Sequence, residues 1–170
     1  MIEHALRPMN ESDLERVLKW RNHPDVRSYM YSTHEISIEE HRTWYSHASR
    51  NPSIALLIYE RDAKACGFVN ITRTRCPVVA EWGFYLSPDA PRGSGRELGK
   101  QALNYAFEQL RLHKVCGQAL DFNAGSIAFH TRLGFTEEGC LRDQHLQGDR
   151  FHDVVCFGLL CSEWQARAED

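Results

Sequence analysis

No two cysteines in this chain are spaced Cys-x-x-Cys, although it has six, at positions 66, 76, 116, 140, 156 and 161. Zinc ribbons and dithiol redox sites use that spacing, so neither is expected. Several of the six stand inside apolar, strand-like runs and read as reduced core residues of a cytoplasmic protein. The nine histidines lack zinc-ligand spacing as well, and no metal is expected. No apolar run approaches the length of a membrane span, and the first residues have no signal-peptide pattern. Positive charge is not in excess either. The formal net charge is −3, which argues against non-specific nucleic-acid binding. Repeats, linkers and low-complexity segments are missing, so a single domain over residues 1–170 is expected.

What is present is regular punctuation. Glu3 to Pro8 reads as a first strand. Ser12-x-x-Glu15 reads as a capping box opening a helix that ends near Asn22, before His23-Pro24. Ser37-x-x-Glu40 is a second capping box, opening a helix with Ile38, His41, Tyr45 and Ala48 on one side and ending at Asn51-Pro52. Ser53 to Glu60, Ala65 to Thr74 and Val79 to Leu86 follow as strands. A helix runs from a glycine-rich turn to about Arg111, and a strand from Val115 to Phe122 leads to a helix from Asn123 to Leu133. Thr136 to Gln147 and Arg150 to Leu160 close as a hairpin around Gly148-Asp149. The order β-α-α-β-β-β-α-β-α-β-β predicts an α/β (α+β) fold, a sheet with helices packed on it.

The turn between the fourth strand and its helix is Pro91-Arg-Gly-Ser-Gly-Arg-Glu-Leu-Gly99. Backbone N–H groups of such a turn converge on one point, and the helix N-terminus adds partial positive charge. With Arg92 and Arg96 beside Gly93, Ser94 and Gly95, the stretch reads as a pyrophosphate cradle. A P-loop would need Gly-Lys-Ser/Thr, and here Gly95 is followed by Arg96-Glu97. A dinucleotide fingerprint would need glycine at position 98, which is leucine.

Arg92-Gly93-Ser94-Gly95-Arg96-Glu97 resembles the coenzyme A loop Gln/Arg-x-x-Gly-x-Gly/Ala of the GCN5-related N-acetyltransferases, departing at Glu97. Asn123-Ala-Gly-Ser-Ile-Ala-Phe-His130-Thr-Arg132-Leu-Gly134-Phe135 is similar to a second segment of that family, Asn-x-x-Ala/Ser-x-x-x-Tyr-x-Lys/Arg-x-Gly-Phe. One helix and one strand separate the two motifs, as in the family. The resemblance implies a mixed central sheet with splayed strands flanked by helices, and acetyl-CoA as co-substrate. It implies cofactor contacts from Phe84, Tyr85 and Leu86, from the N–H groups of residues 93 to 97, and from Asn123 and Arg132. By composition Asn123 is equally a helix N-cap, and both roles can hold together. Glu81 falls where the family often carries a carboxylate that draws a proton from the amine through water. His130 falls where the family most often has the tyrosine that serves as general acid. A covalent route through cysteine is not expected, because Cys116, Cys140 and Cys156 have no neighbouring base in sequence.

Trp20-Arg21-Asn22-His23-Pro24-Asp25-Val26-Arg27 and Glu40-His41-Arg42-Thr43-Trp44-Tyr45 look like the acetyltransferases of bacterial pseudaminic-acid synthesis. That resemblance implies transfer to the 4-amino group of a UDP-linked 4-amino-4,6-dideoxy sugar, on the route to flagellin glycans. Arg21, Met30, Tyr31, His41 and Trp44 would hold the acceptor. The chemistry agrees, since a uracil needs an aromatic or apolar platform and a diphosphate needs guanidinium and imidazole donors. Arg21 could instead complement a helix C-terminus, and His41 could be a core residue. Two other functions stay open on the sequence alone: an N-terminal protein acetyltransferase of the ribosomal type, and an acyl-CoA-binding module without chemistry. The expected assembly is a monomer or a homodimer, with no nucleic-acid or membrane partner.

Overall fold

Alternating and capped segments become seven strands flanked by helices in the computed structural model, which describes residues 1–169. The strands are β1 (His4–Pro8), β2 (Ile54–Arg61), β3 (Lys64–Arg73), β4 (Val79–Leu86), β5 (Lys114–Leu120), β6 (Thr136–Gln147) and β7 (Arg150–Leu160). The helices are α1 (Leu14–Asn22), α2 (Pro24–Arg27), α3 (Ile38–Ala48), α4 (Ser94–Asn104), α5 (Ala124–Leu133) and α6 (Cys161–Glu169). They form a mixed sheet in the order β1-β2-β3-β4-β5-β7-β6, parallel only between β4 and β5 among the paired strands whose registers follow. No helix among the described residues is long and apolar enough to cross a membrane. The chain divides into two compact units: residues 1–72 with 83–102, and residues 73–82 with 103 onward.

In the first unit β1, β2 and β3 run antiparallel. The β2–β3 turn is two residues, Asp62 and Ala63, both at positive φ (50° and 59°). That is the sense of turn whose twist matches a hairpin, made here without glycine. Met9, Val17, Trp20, Ala48, Leu56, Ile58 and Phe68 form the core, with Tyr45 and Tyr85 packed against it. Burying a side chain such as Phe68 contributes roughly 1.5–3 kcal/mol. α3 begins as its sequence predicts: Ser37 Oγ accepts from Glu40 N (3.1 Å) and Ser37 N donates to Glu40 Oε2 (2.9 Å).

The first capping box lies two residues earlier than Ser12-x-x-Glu15 predicts. Asn10 Oδ1 accepts from Ser12 N (2.9 Å), and Asn10 N donates to Asp13 Oδ2 (3.0 Å), which opens a short 3-10 turn before α1. Asp13 wins the position because Arg7 fixes it. Arg7 donates to both Asp13 oxygens (2.7 and 2.8 Å) and also to Glu60 (2.7 Å).

In the second unit the β4–β5 ladder pairs Val79 with Lys114, Ala80 with Val115 and Glu81 with Cys116. β5 continues antiparallel along β7, and β7 along β6. Trp82, Val115, Leu133, Phe135, Phe157 and Leu159 are buried. α5 is capped by Asn123, whose Oδ1 accepts from Ser126 N (3.1 Å), and it ends at Gly134 with φ 93°, a left-handed C-cap. α2 and α6 were not anticipated. α2 uses Pro24 at its first position behind His23 as N-cap. α6 is held by Trp164 Nε1 donating to Asn104 Oδ1 (2.8 Å). All six cysteines are free thiols.

Asp13 is 1% exposed, and the Arg7 guanidinium holds its carboxyl below the usual carboxylate range. Removing one partner of such a buried pair leaves the other unmatched, so Asp13→Ala should cost about 3 kcal/mol in denaturant unfolding. The folded-state value is depressed. The contribution is therefore present above the unfolded carboxyl's value of about 3.9 and is lost as pH falls through the folded value. The melting temperatures of variant and parent should converge in strong acid.

Candidate active site

In the first unit, β4 ends at Leu86 and the chain turns through residues 87–93 into α4. Gly93 has φ 88°, a conformation a side chain would strain, with open space where a Cβ would stand. Two donors of the turn are spent locally: Ser94 N on Pro91 O (3.1 Å) and Glu97 N on Gly93 O (3.4 Å). Gly95 and Arg96, in the first turn of α4, have no intrahelical acceptor for their N–H groups. Those donors at a helix N-terminus, with exposed Arg92 and Arg96 alongside, suit an anionic diphosphate. Glu97 departs from the family pattern, but its carboxylate pairs with Lys100 one turn on (3.5 Å). The Ser94 side chain is fully buried, so its hydroxyl faces the interior and only its backbone belongs to the loop surface. Arg92 contributes its carbonyl to Arg61 Nη1 (3.2 Å), which ties the loop to β2. Phe84, Tyr85 and Leu86 are half-buried.

Also in the first unit, Arg21, His41, Trp44 and Tyr85 share one neighbourhood. Arg21 ends α1, and its Nη2 donates to Ser32 O (2.9 Å) while its Nη1 is buried without a hydrogen-bond partner. None of the ion pairs among the described residues gives Arg21 a carboxylate. Burial pulls the guanidinium below its ordinary value, against an opposing pull from the Tyr85 phenol. Burial pushes Tyr85 above its ordinary value, with Arg21 working against it. His41 is 4% exposed, and its Nε2 has no partner. Burial lowers its basicity, the Leu14 backbone opposes that, and the Arg21 charge adds to it. The His41 ring stacks on Trp44 (5.1 Å), Trp44 meets Phe68 edge-on (5.9 Å), and Phe68 lies against Tyr85 (5.1 Å). A half-buried cation and a buried imidazole thus stand beside an aromatic wall. Met30, half-buried, and Tyr31, exposed, lie on the irregular segment 28–36 that Arg21 holds through Ser32. Phe68 and its neighbour on the same face of β3, Asn70, were missed by the sequence reading. The signal was a lone polar residue in Gly67-Phe-Val-Asn-Ile.

In the second unit Glu81 is exposed on β4, paired with Cys116 in the parallel ladder. His130 is 1% exposed. Its Nε2 accepts from Trp82 Nε1 (3.1 Å), and its Nδ1 stands 2.8 Å from Ser126 O. A nitrogen facing a carbonyl must carry the proton, and one facing an indole N–H must not. His130 is therefore a neutral Nδ1–H tautomer. The ring stacks flat on Phe157 (4.7 Å, 6°) and edge-on to Phe135 (5.0 Å). Burial lowers its basicity, with the Ser126 carbonyl opposing. This geometry does not suit the general-acid role expected for His130: its one proton is given to its own helix. Trp82 turns toward His130, so alternation turns Glu81 to the other face of β4. Asn123 caps α5, and Arg132 is exposed with its carbonyl accepting from Arg167 (3.2 Å). No group of three or more potential metal ligands occurs among the described residues.

Comparison with known proteins bears on the family and the fold. The acetyltransferase (GNAT) domain family model matches residues 5–136. The acetyltransferase PseH of Campylobacter jejuni (strain 81-176) is 30% identical over 131 residues, covering 75% of this chain and 80% of that protein. The spermidine N(1)-acetyltransferase of Vibrio cholerae is 25% identical over 168 residues, 97% of each chain. In fold, a crystal structure of V. cholerae spermidine N-acetyltransferase in complex with CoA and spermine aligns with a TM-score of 0.87 at 23% identity, covering 95% of this chain and 98% of that one.

His130 and His41 are both buried with basicity lowered by that burial. Their folded-state values lie below the unfolded imidazole's value of about 6.5. Their contribution to stability is therefore complete above that value and is lost as pH falls beneath it. Thermal melts should show a falling midpoint between about pH 7 and pH 5, and His130→Phe should flatten that slope. Gly117→Ala should lower the midpoint at every pH. Its Cβ would stand only 2.8 Å from Trp82 Nε1, and overpacking of this kind costs roughly 1–3 kcal/mol.

Proposed function

The chain belongs to the GNAT acetyltransferase family and is an acetyl-CoA-dependent N-acetyltransferase, and from that premise we propose that its acceptor is the 4-amino group of a UDP-linked 4-amino-4,6-dideoxy sugar, in a cytoplasmic step toward pseudaminic acid. The observation that carries the proposal is Arg21, a half-buried cation with a free Nη1 and no carboxylate partner among the described residues. His41 Nε2, also unpartnered, stands in the same neighbourhood. The free Arg21 Nη1 donor fits a phosphate oxygen of a diphosphate, and Trp44 and Tyr85 offer flat surfaces for a base or sugar. The PseH relatives add weight to this reading.

A polyamine is the competing acceptor, because spermidine acetyltransferases are among the relatives. Charge supports the sugar nucleotide. A cation brought to about 5 Å of Arg21 costs roughly 3 kcal/mol at an effective dielectric near 20, and a phosphate at that distance gains a similar amount. Polyamine recognition needs carboxylates where this neighbourhood has Arg21 and His41.

In the proposed reaction Glu81 takes a proton from the amine through water. The amine nitrogen bonds to the thioester carbonyl carbon, the C–S bond breaks, and the thiolate leaves. A backbone N–H of Phe84 or Tyr85 steadies the oxyanion. The loop donors of residues 93 to 97 hold the pyrophosphate.

Two measurements test the reading. UDP should inhibit competitively against the sugar and not against acetyl-CoA, and spermidine should be neither substrate nor inhibitor. Arg21→Ala should raise the KM for the sugar by the worth of a charged hydrogen bond, roughly 1.5–3 kcal/mol, and leave the KM for acetyl-CoA in place. Acetylation of spermidine with no effect of UDP would overturn the assignment. For the loop, Gly95→Asp should sharply weaken acetyl-CoA binding in calorimetry while the protein stays folded; unchanged affinity removes the loop from the site.

A further inference from the structure

Alternation along β3 puts Phe68 and Asn70 on one face, and along β4 it groups Glu81, Gly83 and Tyr85. The Phe68 and Tyr85 rings meet at 5.1 Å. One step along both strands, Asn70 abuts Gly83. A Cβ built on Gly83 would stand 2.5 Å from Asn70 Oδ1 and 3.7 Å from Nδ2. The glycine therefore leaves the space that the carboxamide uses. The Asn70 side chain is half-buried and makes no hydrogen bond among the described residues. Its neighbours are Leu56 in register on β2 and Phe68 and Thr72 along its own face. A carboxamide without a partner of its own has its acceptor and both donors open to a bound ligand.

Arg21 couples to Tyr85 and His41 stacks on Trp44, and Trp44, Phe68 and Tyr85 form the wall between them. Asn70 lies one step along β3 from Phe68, against Gly83. A ligand laid against Phe68 and Tyr85 therefore has the Asn70 carboxamide beside it. We propose that Asn70 contacts the acceptor at its reacting nitrogen, its carboxamide oxygen accepting one N–H of the neutral amine. That bond leaves the lone pair free to form the N–C bond. Asn70 stays neutral and takes no proton. The second N–H is the one lost to the base, and the departing thiolate takes its proton from solvent. The inference rests on the acceptor reading above for the identity of the amine, not for the contact itself.

The charged and titratable groups around this face within the first unit are Arg21, His41 and Tyr85. None of them is altered by substitution at Asn70. In steady-state kinetics Asn70→Ala should lower kcat about tenfold, the effect of one lost hydrogen bond in the transition state, while the KM for acetyl-CoA and the inhibition constant of UDP hold. Asn70→Asp places a carboxylate against the amine and favours its ammonium form, so the rise of kcat/KM with pH should move up by about one unit. A merely structural asparagine would not move that profile. Gly83→Ala crowds the same carboxamide and should reproduce the loss in kcat, which keeps the test open if Asn70→Ala folds poorly. Wild-type kcat in Asn70→Ala, or an unmoved pH profile in Asn70→Asp, overturns the contact. Failure of UDP to inhibit the unaltered enzyme sinks the sugar-nucleotide reading alone. The Asn70 variants, run with whichever amine the enzyme acetylates, then decide the contact separately.

Discussion

Strand β4 has to serve two faces with one backbone, and the period of two leaves it no choice about which residue does which. Trp82 goes to one face and is buried, fixed by its bond to His130. Glu81, Gly83 and Tyr85 go to the other. A one-residue slip of register would exchange the sets, driving a carboxylate into an aromatic cluster and exposing an indole. The Trp82–His130 bond and the absence of a Cβ on Gly117 work as a lock against that slip. The side on which Glu81 stands thus depends on a buried pair on the opposite face of the strand. Gly83 extends the same logic, because a side chain there would collide with Asn70.

Much of this was legible in the chain. The hairpin strands Thr136–Gln147 and Arg150–Leu160 fall where alternation and the Gly148-Asp149 turn put them. The Ser37/Glu40 box and the Asn123 cap form as their residue types dictate. The failures share a cause. Asn10 and Ser12 are both good caps, and the choice between them was made by Arg7, which reaches Asp13 from β1. Nothing local to the helix carries that information. His130 is similar: seven residues after Asn123 it occupies a position where the family has an acid, and only the fold reveals the indole facing its Nε2 and the carbonyl facing its Nδ1. Asn70 was passed over because a single polar residue in a strand is usually turned to solvent. Its role became visible only through the glycine it abuts.

Arg21 illustrates how one charge can sort acceptors that a shared fold cannot. The fold is that of polyamine acetyltransferases as much as of any other relative, and fold does not carry substrate. A desolvated cation without a counter-ion is costly unless an anion arrives. Burial and the Arg21 charge both lower the basicity of its neighbour His41, with the Leu14 backbone opposing them. The charge an acceptor would meet in this neighbourhood is that of Arg21.

Removing His130 from the acid role changes what the leaving group requires. A thiol has a pKa of about 8.5, so its thiolate is a modest base and departs without needing a proton in advance. A phenol with a pKa of about 10 would lend such a thiolate little more than a hydrogen bond. The demanding part of this reaction is on the other side, where an amine must be neutral to attack. A sequence that replaces the family's tyrosine by a sealed imidazole gives up little at the sulfur. It gains a fixed Trp82, and with it a fixed side for Glu81 on β4.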